Sequence, residues 1–137
     1  MFKFGIISSE NLETCCDELQ TVAHEVIKYY DFSVIEGHRS IVRQGKLFRE
    51  GKTTIDGISQ IGKHNYEPSQ AFDLLPYPAV LHGVNIWADR PRFYLFMGLV
   101  NGIALSNGII LRFGIDWDSD GSVVDQSFHD CPHVETT

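Results

Sequence analysis

The sequence predicts an α+β fold in which a small, mainly antiparallel sheet is flanked by helices. A chain of 137 residues has the size of one domain, so residues 1–137 are expected to share a single hydrophobic core. Hydrophobic residues make up 43% and charged residues 21% of the chain, as in ordinary globular proteins. Segments with helical and strand-like patterns alternate along the chain, from helix to strand three times. This order leaves the sheet and the helices segregated.

The first half of the chain contains two predicted helices and one strand. Apolar residues recur every three or four positions from about Asn11 to Tyr30, which is typical of an amphipathic helix, with Asn11 or Ser9 as its cap. A β-branched segment at 32–37 ends at a glycine and indicates a strand. A second helix is predicted from Ile41 to Arg49, because a glycine closes it shortly afterwards.

The second half begins with a long loop, Lys52–Ser69, which has no periodicity and is rich in Gly, Lys, Thr, Asn and Pro. Loops of this length in compact domains are usually functional. The apolar segment Ala71–Leu75 predicts a strand that prolines end. A helix is expected over Pro91–Asn107, with proline at its start and glycine after its end. The aliphatic segment Ile109–Ile115 predicts a buried strand.

Charge and cysteine content exclude several classes of protein. A formal net charge of −7 argues against binding to nucleic acid or to an anionic membrane, since both need clustered Lys and Arg. No segment resembles a secretory signal or a membrane span, so we expect synthesis in the cytoplasm and no membrane insertion. The three cysteines, Cys15, Cys16 and Cys131, are expected to stay reduced. A monomer is expected.

Two segments half a chain apart carry metal-ligand residue types, GKHNYEPSQAFD and FHDCPHVE. A catalytic zinc commonly takes three His and carboxylate ligands and keeps one position for water. His64, Asp73 and His133 would complete such a set. Cys131 is a rival ligand, although its side chain should point away from the site if its neighbours point inward. A loop histidine can also be merely solvated, so spacing alone leaves the assignment open.

These segments resemble the two metal-binding motifs of the zinc peptidases that include D-Ala-D-Ala carboxypeptidases and L-alanyl-D-glutamate endopeptidases. The segment GHRSIVRQGKLF is similar to the family's Gly-Tyr-Arg-Ser segment with its following Gln. The segment RFGIDWDSDG is similar to the Trp-Gly-Gly-Asp-Trp segment of phage members. Together the four motifs cover most of residues 37–135, in the family's order. The chain departs from the family pattern in a lengthened interval between the first two metal ligands and at a few positions, among them Gly62, His38 and Phe113.

The resemblance implies a role for each matching residue. His64, Asp73 and His133 would be the zinc ligands. Asp130, three positions before His133, would be the catalytic acid and base, taking the proton of the attacking water and passing it to the leaving amine. Arg39 would stabilise the developing oxyanion or a substrate carboxylate.

Glu135 has two interpretations that the sequence leaves open. If it alternates with His133 on a strand, it shares the face of that residue and can orient it as a hydrogen-bond partner of the metal ligand. It can equally be a surface carboxylate.

The function implied by the resemblance is an L-alanyl-D-glutamate endopeptidase of the phage endolysin type. Its partner would be bacterial peptidoglycan, and it would be made in the host cytoplasm and act on the wall after release. D,D-carboxypeptidase and D,D-dipeptidase activities belong to the same fold and zinc set, so they remain alternatives. A catalytically inactive wall-binding or calcium-binding module is the alternative from another class.

An acidic loop begins within the segment RFGIDWDSDG and precedes the segment FHDCPHVE. Asp116, Asp118 and Asp120 occupy alternate positions before Gly121, as in the first half of a calcium-binding loop. The second half does not match, because Ser127 stands where a bidentate Glu is expected. A calcium site of looser form and an exposed acidic turn are both compatible with this pattern.

Overall fold

The computed structural model describes residues 1–137 and contains four α-helices and six strands. The helices are α1 (Ile6–Glu13), α2 (Asp17–Val26), α3 (Ile41–Arg49) and α4 (Arg90–Ser106). The strands are β1 (Phe32–Glu36), β2 (Ala71–Pro76), β3 (Val80–Leu81), β4 (Val84–Asn85), β5 (Leu111–Phe113) and β6 (His133–Thr136). Short 3₁₀ turns lie at Lys63–Asn65 and Ile86–Ala88.

Four strands form one antiparallel sheet in the order β1, β2, β6, β5. Strands β3 and β4 form a separate hairpin. The last strand in the chain, β6, therefore occupies an interior position between β2 and β5. The predicted α+β class, with a small antiparallel sheet and flanking helices, is confirmed.

The sheet has one apolar face and one polar face, because side chains alternate along each strand. The apolar face joins the hydrophobic core with α2 and α4. It is formed by Phe32, Val34, Phe72, Leu74, Leu111, Phe113 and Val134. The intervening residues of the same strands border an open cleft on the other face. They are Ile35, Asp73, Arg112, His133 and Glu135. Alternation thus separates the residues that stabilise the fold from those that can bind a ligand.

Helix α4 is fixed at its start by local sequence signals. Asp89 is the N-cap, and its side chain accepts a hydrogen bond from the backbone N–H of Arg92 at 3.2 Å. Pro91 occupies the first turn, where its missing N–H costs nothing. These local signals explain why the prediction for residues 91–107 is confirmed to within one residue at each end.

The single helix predicted over Asn11–Tyr30 is wrong, because the chain breaks at Cys15 and Cys16 into α1 and α2. The backbone N–H of Cys16 donates to the carbonyl of Ser69 at 2.9 Å, and the N–H of Ser69 donates to Thr14 at 2.8 Å. These bonds to a distant loop replace helical ones. The caps also differ from the expected Asn11 or Ser9, since Gly5 precedes α1 and Cys16 precedes α2.

The remaining predictions differ from the structure mainly in extent. Helix α3 has the predicted bounds, and the segment 52–69 is a loop apart from its 3₁₀ turn. The strand predicted over 109–115 is shorter, because only Leu111–Phe113 pairs with β6. The β3–β4 hairpin was not predicted. No helix combines the length and apolar content needed to cross a membrane.

Candidate metal centre and active site

Three side chains from three parts of the chain meet at the polar face of the sheet. Asp73 lies on β2 and His133 begins β6, and the two residues are direct partners across the strands. His64 comes from the 3₁₀ turn at Lys63–Asn65, which packs against β2. Both histidines are buried, whereas Asp73 is partly exposed to the cleft.

The donor atoms of these residues form a nearly equilateral triangle. His64 Nε2 lies 3.2 Å from His133 Nδ1. Asp73 Oδ1 lies 3.3 Å from His64 Nε2 and 3.4 Å from His133 Nδ1. Ligands at neighbouring corners of a tetrahedron around zinc, with bonds of about 2.0–2.1 Å, are about 3.3–3.4 Å apart. The residues therefore fit three corners of a tetrahedral metal site and can hold a metal ion.

The outer nitrogen of each imidazole has its own partner, which fixes the orientation of the ring. His64 Nδ1 lies 2.8 Å from the carbonyl oxygen of Gly37. A carbonyl only accepts, so this nitrogen carries the proton. His133 Nε2 donates to Glu135 Oε1 at 2.8 Å. When both rings are neutral, their inner nitrogens turn lone pairs toward the triangle. Hydrogen bonds of this kind are typical around metal-bound histidines.

The electrostatics of the triangle favour a cation at its centre. Asp73 Oδ1 is buried without a hydrogen-bond partner. Burial opposes ionisation of Asp73, but the imidazoles of His133 and His64 outweigh it and hold the pKa of this carboxyl well below its usual value. Burial likewise opposes protonation of His133, but the carboxylates of Asp73 and Glu135 raise its pKa to about 9. The two carboxylates beside His133 therefore favour positive charge at this position.

Arg39 is held beside this triangle by three contacts of its side chain and one of its backbone. Its Nε donates to Glu36 Oε1 at 3.2 Å, and its Nη1 donates to the buried side chain of Gln44 at 3.1 Å. Its Nη2 lies 4.0 Å from Asp73 Oδ2. Its backbone N–H also donates to the carbonyl of His64 at 2.7 Å. The guanidinium is therefore fixed at the edge of the candidate metal centre and borders the cleft.

Asp130 lies in the turn before β6 and borders the same cleft. Its backbone carbonyl accepts from the N–H of His133 at 3.0 Å, and its own N–H donates to Gly114 at 2.9 Å. A Cβ on Gly114 would lie only 2.1 Å from the carbonyl oxygen of Asp130, so glycine is needed for this close approach. Burial raises the pKa of Asp130, and the charge of Asp73 raises it further.

The cleft around these groups has a volume of about 1120 Å³. Although the whole chain is acidic, six basic side chains line this cleft: Arg39, Arg43, Lys52, Lys63, Arg90 and Arg112. Aromatic side chains line it as well, namely Trp87, Phe93, Trp117 and Phe128. This lining suits a ligand that carries carboxylates and also has carbon-rich surface.

The structure brings six of the predicted site residues into one cleft: Arg39, His64, Asp73, Asp130, His133 and Glu135. Of the two interpretations of Glu135, the geometry agrees with the one in which it bonds to His133. Cys131 also borders the cleft but is not part of the group that can hold a metal ion.

The predicted calcium ligands form a separate group. Carboxylate oxygens of Asp116, Asp118 and Asp120 lie within 4.8 Å of one another. The Asp116 carboxylate accepts from the backbone N–H groups of Asp120 at 3.2 Å and Gly121 at 2.9 Å. These bonds shape an acidic turn, which is compatible with both interpretations given above.

Sequence reasoning missed several residues that support the site. Gly37 orients His64, Glu36 holds Arg39, and Gly114 admits Asp130. The Gln that follows the Gly-Tyr-Arg-Ser-like segment was an available signal for Gln44. No local pattern marks Glu36, and the segment RFGIDWDSDG contains Arg112 without indicating its contact with Glu135, because the contacts of both residues depend on sheet register.

Comparisons with known proteins agree with this geometry. The family model described as phage L-alanyl-D-glutamate peptidase matches residues 1–137. The L-alanyl-D-glutamate peptidase of Escherichia phage T5 is 30% identical over 139 residues, covering 98% of this chain and 97% of that protein. The crystal structure of the Serratia marcescens L-Ala D-Glu endopeptidase ChiX superposes with a TM-score of 0.71 at 26% identity, covering 98% of this chain and 90% of that one.

Proposed function

The chain belongs to the phage L-alanyl-D-glutamate peptidase family, and from this premise we propose that it hydrolyses the L-alanyl-D-glutamate bond in the peptide stem of bacterial peptidoglycan. We propose further that it uses one zinc ion and acts as a phage endolysin on the host cell wall. The observation that supports the zinc proposal best is the triangle of donor atoms, with edges of 3.2, 3.3 and 3.4 Å.

In this proposal His64, Asp73 and His133 hold the metal. Two imidazoles and one carboxylate are a common ligand set of catalytic zinc. Zinc bound here would supply a nucleophile at neutral pH and polarise the substrate carbonyl. Hydroxide from water adds to the L-alanyl carbonyl carbon, the carbon–nitrogen bond breaks, and D-glutamate leaves with a free amine.

Asp130 is proposed to move the proton in this reaction. It takes the proton released by the attacking water and gives it to the leaving nitrogen, so that the amine departs neutral. Its position in the cleft and its raised pKa support this role, because a proton carrier works best when its pKa approaches the working pH.

Arg39 is proposed to bind negative charge on the substrate. The bond is flanked by the carboxylate of D-glutamate, and an oxyanion develops at the carbonyl. A guanidinium offers a permanent charge and a fork of donors to either group. The contacts to Glu36 and Gln44 support this proposal, since they hold the guanidinium before substrate arrives.

A digest of purified peptidoglycan tests the reaction. The protein is incubated with zinc, and newly freed amino termini are identified by mass spectrometry, with His64→Ala as the matched control. Free amino termini on D-glutamate are expected with the parent and not with the control. Release of terminal D-alanine would instead show D,D-carboxypeptidase activity. Wall binding without new termini, in protein shown to hold zinc, would indicate an inactive binding module.

The acidic loop is proposed as a second cation site, for calcium. The convergence of oxygens from Asp116, Asp118 and Asp120 supports this proposal, because calcium prefers several oxygen ligands on a flexible turn. It is independent of the zinc proposal.

A further inference from the structure

Glu135 has a second partner on its other oxygen. While Oε1 accepts from His133, Oε2 lies 3.1 Å from Nη2 of Arg112. The Glu135 side chain is 7% exposed, so a carboxylate oxygen without a partner would be costly there. Arg112 and Glu135 are direct cross-strand partners on β5 and β6. The sheet register therefore places the guanidinium beside this carboxylate.

Arg112 is itself held by an aromatic ring. Its guanidinium carbon lies 5.2 Å from the centre of the Trp117 ring, within the range of a cation–π contact. The indole N–H of Trp117 donates to the carbonyl of Phe128 at 3.1 Å, which fixes the ring. The same indole packs against the His133 ring, with centres 5.3 Å apart. Arg112, Trp117, His133 and Glu135 thus form a closed circuit of contacts.

This circuit leaves the His133 ring little freedom to rotate. One edge is tied to Glu135, one face meets Trp117, and Nδ1 is turned toward the candidate metal ligands. We propose that Arg112 is a positioning residue for the metal centre: by holding Glu135 between itself and His133, and by stacking on Trp117, it fixes the orientation in which His133 binds metal. This inference rests on the zinc site of the proposed function.

Overall stability alone does not explain the arrangement. Arg112 is 45% exposed, so solvent screens its charge, and its contribution to stability is mainly the partner that it gives the buried Glu135 carboxylate. Its positive charge also lies near a site proposed to take a cation. As a charge alone it would weaken metal binding. Replacing Arg112 should therefore weaken zinc binding if Arg112 positions His133, and should strengthen it if Arg112 acts only through its charge.

The test is the zinc dissociation constant of the full chain, measured by competition with a chromophoric chelator. Arg112→Ala is expected to weaken zinc binding by about tenfold to a hundredfold, as for other outer partners of metal-bound histidines. Arg112→Lys should lie between Ala and the parent, because lysine keeps the charge but lacks the planar fork. Arg49→Ala, which removes an exposed arginine outside the cleft, should bind zinc like the parent.

A second measurement reads the His133 ring directly. In zinc-loaded parent, nuclear magnetic resonance should show a slowly exchanging proton on His133 Nε2, held by Glu135. That proton should exchange faster in Arg112→Ala and in Arg112→Lys, and stay unchanged in Arg49→Ala. This readout does not depend on activity. Unfolding of the metal-free variants measures their overall stability, so that a general loss of stability can be separated from a loss of positioning.

Zinc binding by Arg112→Ala as tight as in the parent, or tighter, would overturn the inference. So would an unchanged exchange rate of the Nε2 proton. Failure of the parent to bind zinc, or full zinc content in His64→Ala, would overturn the proposed metal site instead. The two failures are thereby distinguishable.

Discussion

Asp73 and Asp130 are two carboxylates in one cleft whose pKa values are shifted in opposite directions. The first faces two imidazoles, and the second is raised by burial and by the charge of the first. Such divergence between neighbouring acids is how one site keeps one carboxylate ionised and lets another exchange protons. The proposed metal ligand, Asp73, and the proposed proton carrier, Asp130, can therefore be tested separately.

Asp130→Asn should retain zinc and fold but hydrolyse peptidoglycan about a hundredfold to ten-thousandfold more slowly, the usual contribution of a general base. Asparagine keeps the size of the side chain but cannot accept a proton from water. Turnover is measured together with metal content. Loss of zinc in the variant would make Asp130 a ligand. Near-normal turnover with zinc present would move the proton transfer to another acid, Glu135.

His64→Ala should lose most of its zinc, because one of the three proposed protein ligands is removed. Cys131→Ser should keep its zinc, since the thiol is not part of the donor group. Elemental analysis of both purified variants gives the metal content per chain. The opposite pattern, with zinc lost only from the cysteine variant, would reassign the ligand.

Asp56 shapes a turn in the loop that borders the cleft. Hydrogen bonds from the Ser59 hydroxyl and from the backbone N–H groups of Ile58 and Gln60 lower its pKa to about 2. Because the folded-state pKa lies below the unfolded value of about 3.9, ionised Asp56 stabilises the fold above about pH 3.9. This stabilisation is lost as the pH falls through about 2. The nuclear magnetic resonance signal of the Asp56 side-chain carboxyl carbon, recorded against pH, should show that midpoint. Titration near 3.9 would mean the turn does not hold in solution.

At the scale of elements, the contact between the end of β5 and the turn before β6 sets the position of Asp130. Gly114→Ala would push a methyl group into the Asp130 backbone. Overpacking of this kind costs about 1–3 kcal/mol. We expect denaturant unfolding of Gly114→Ala to show a lower free energy of unfolding. We also expect the folded variant to lose activity, because the Asp130 backbone is displaced.

Gly98→Ala is the matched control for that change. A Cβ at Gly98, in α4, meets no atom within 4 Å. Alanine is favoured over glycine in a helix interior by about 0.8–1.0 kcal/mol, so this variant should gain stability and keep activity. Equal effects of the two substitutions would contradict a specific role for the contact at Gly114.

The acidic loop is predicted to bind calcium, which calorimetry with millimolar calcium would detect as heat and as a rise in thermal stability. Asp118→Ala should lose both responses, because it removes one of three converging carboxylates. If the parent gives no heat and the variant behaves identically, the loop is only an acidic turn.

At the scale of the whole molecule, local signals were sufficient for some features and not for others. Helices α3 and α4 could be predicted because periodicity and end signals lie within each segment. The metal-ligand types could be identified because they fall in two short motifs. The break between α1 and α2 could not be predicted, since it depends on hydrogen bonds to Ser69, more than fifty residues later along the chain. Arg112 and Trp117 lie in the segment RFGIDWDSDG, but their contacts around His133 and Glu135 could not be predicted for the same reason, because β-sheet register and a turn create them.

The interior position of β6 determines when the sheet can be completed during synthesis. Strands β2 and β5 flank β6 on either side, yet both precede it in translation. Until residues 133–136 have left the ribosome, β2 and β5 lack a shared neighbour and the third metal-ligand candidate is missing. The nascent chain is therefore incapable of holding the metal as proposed. The proposed peptidase activity therefore requires residues 133–136 to be translated and paired with β2 and β5, whatever the zinc supply during translation.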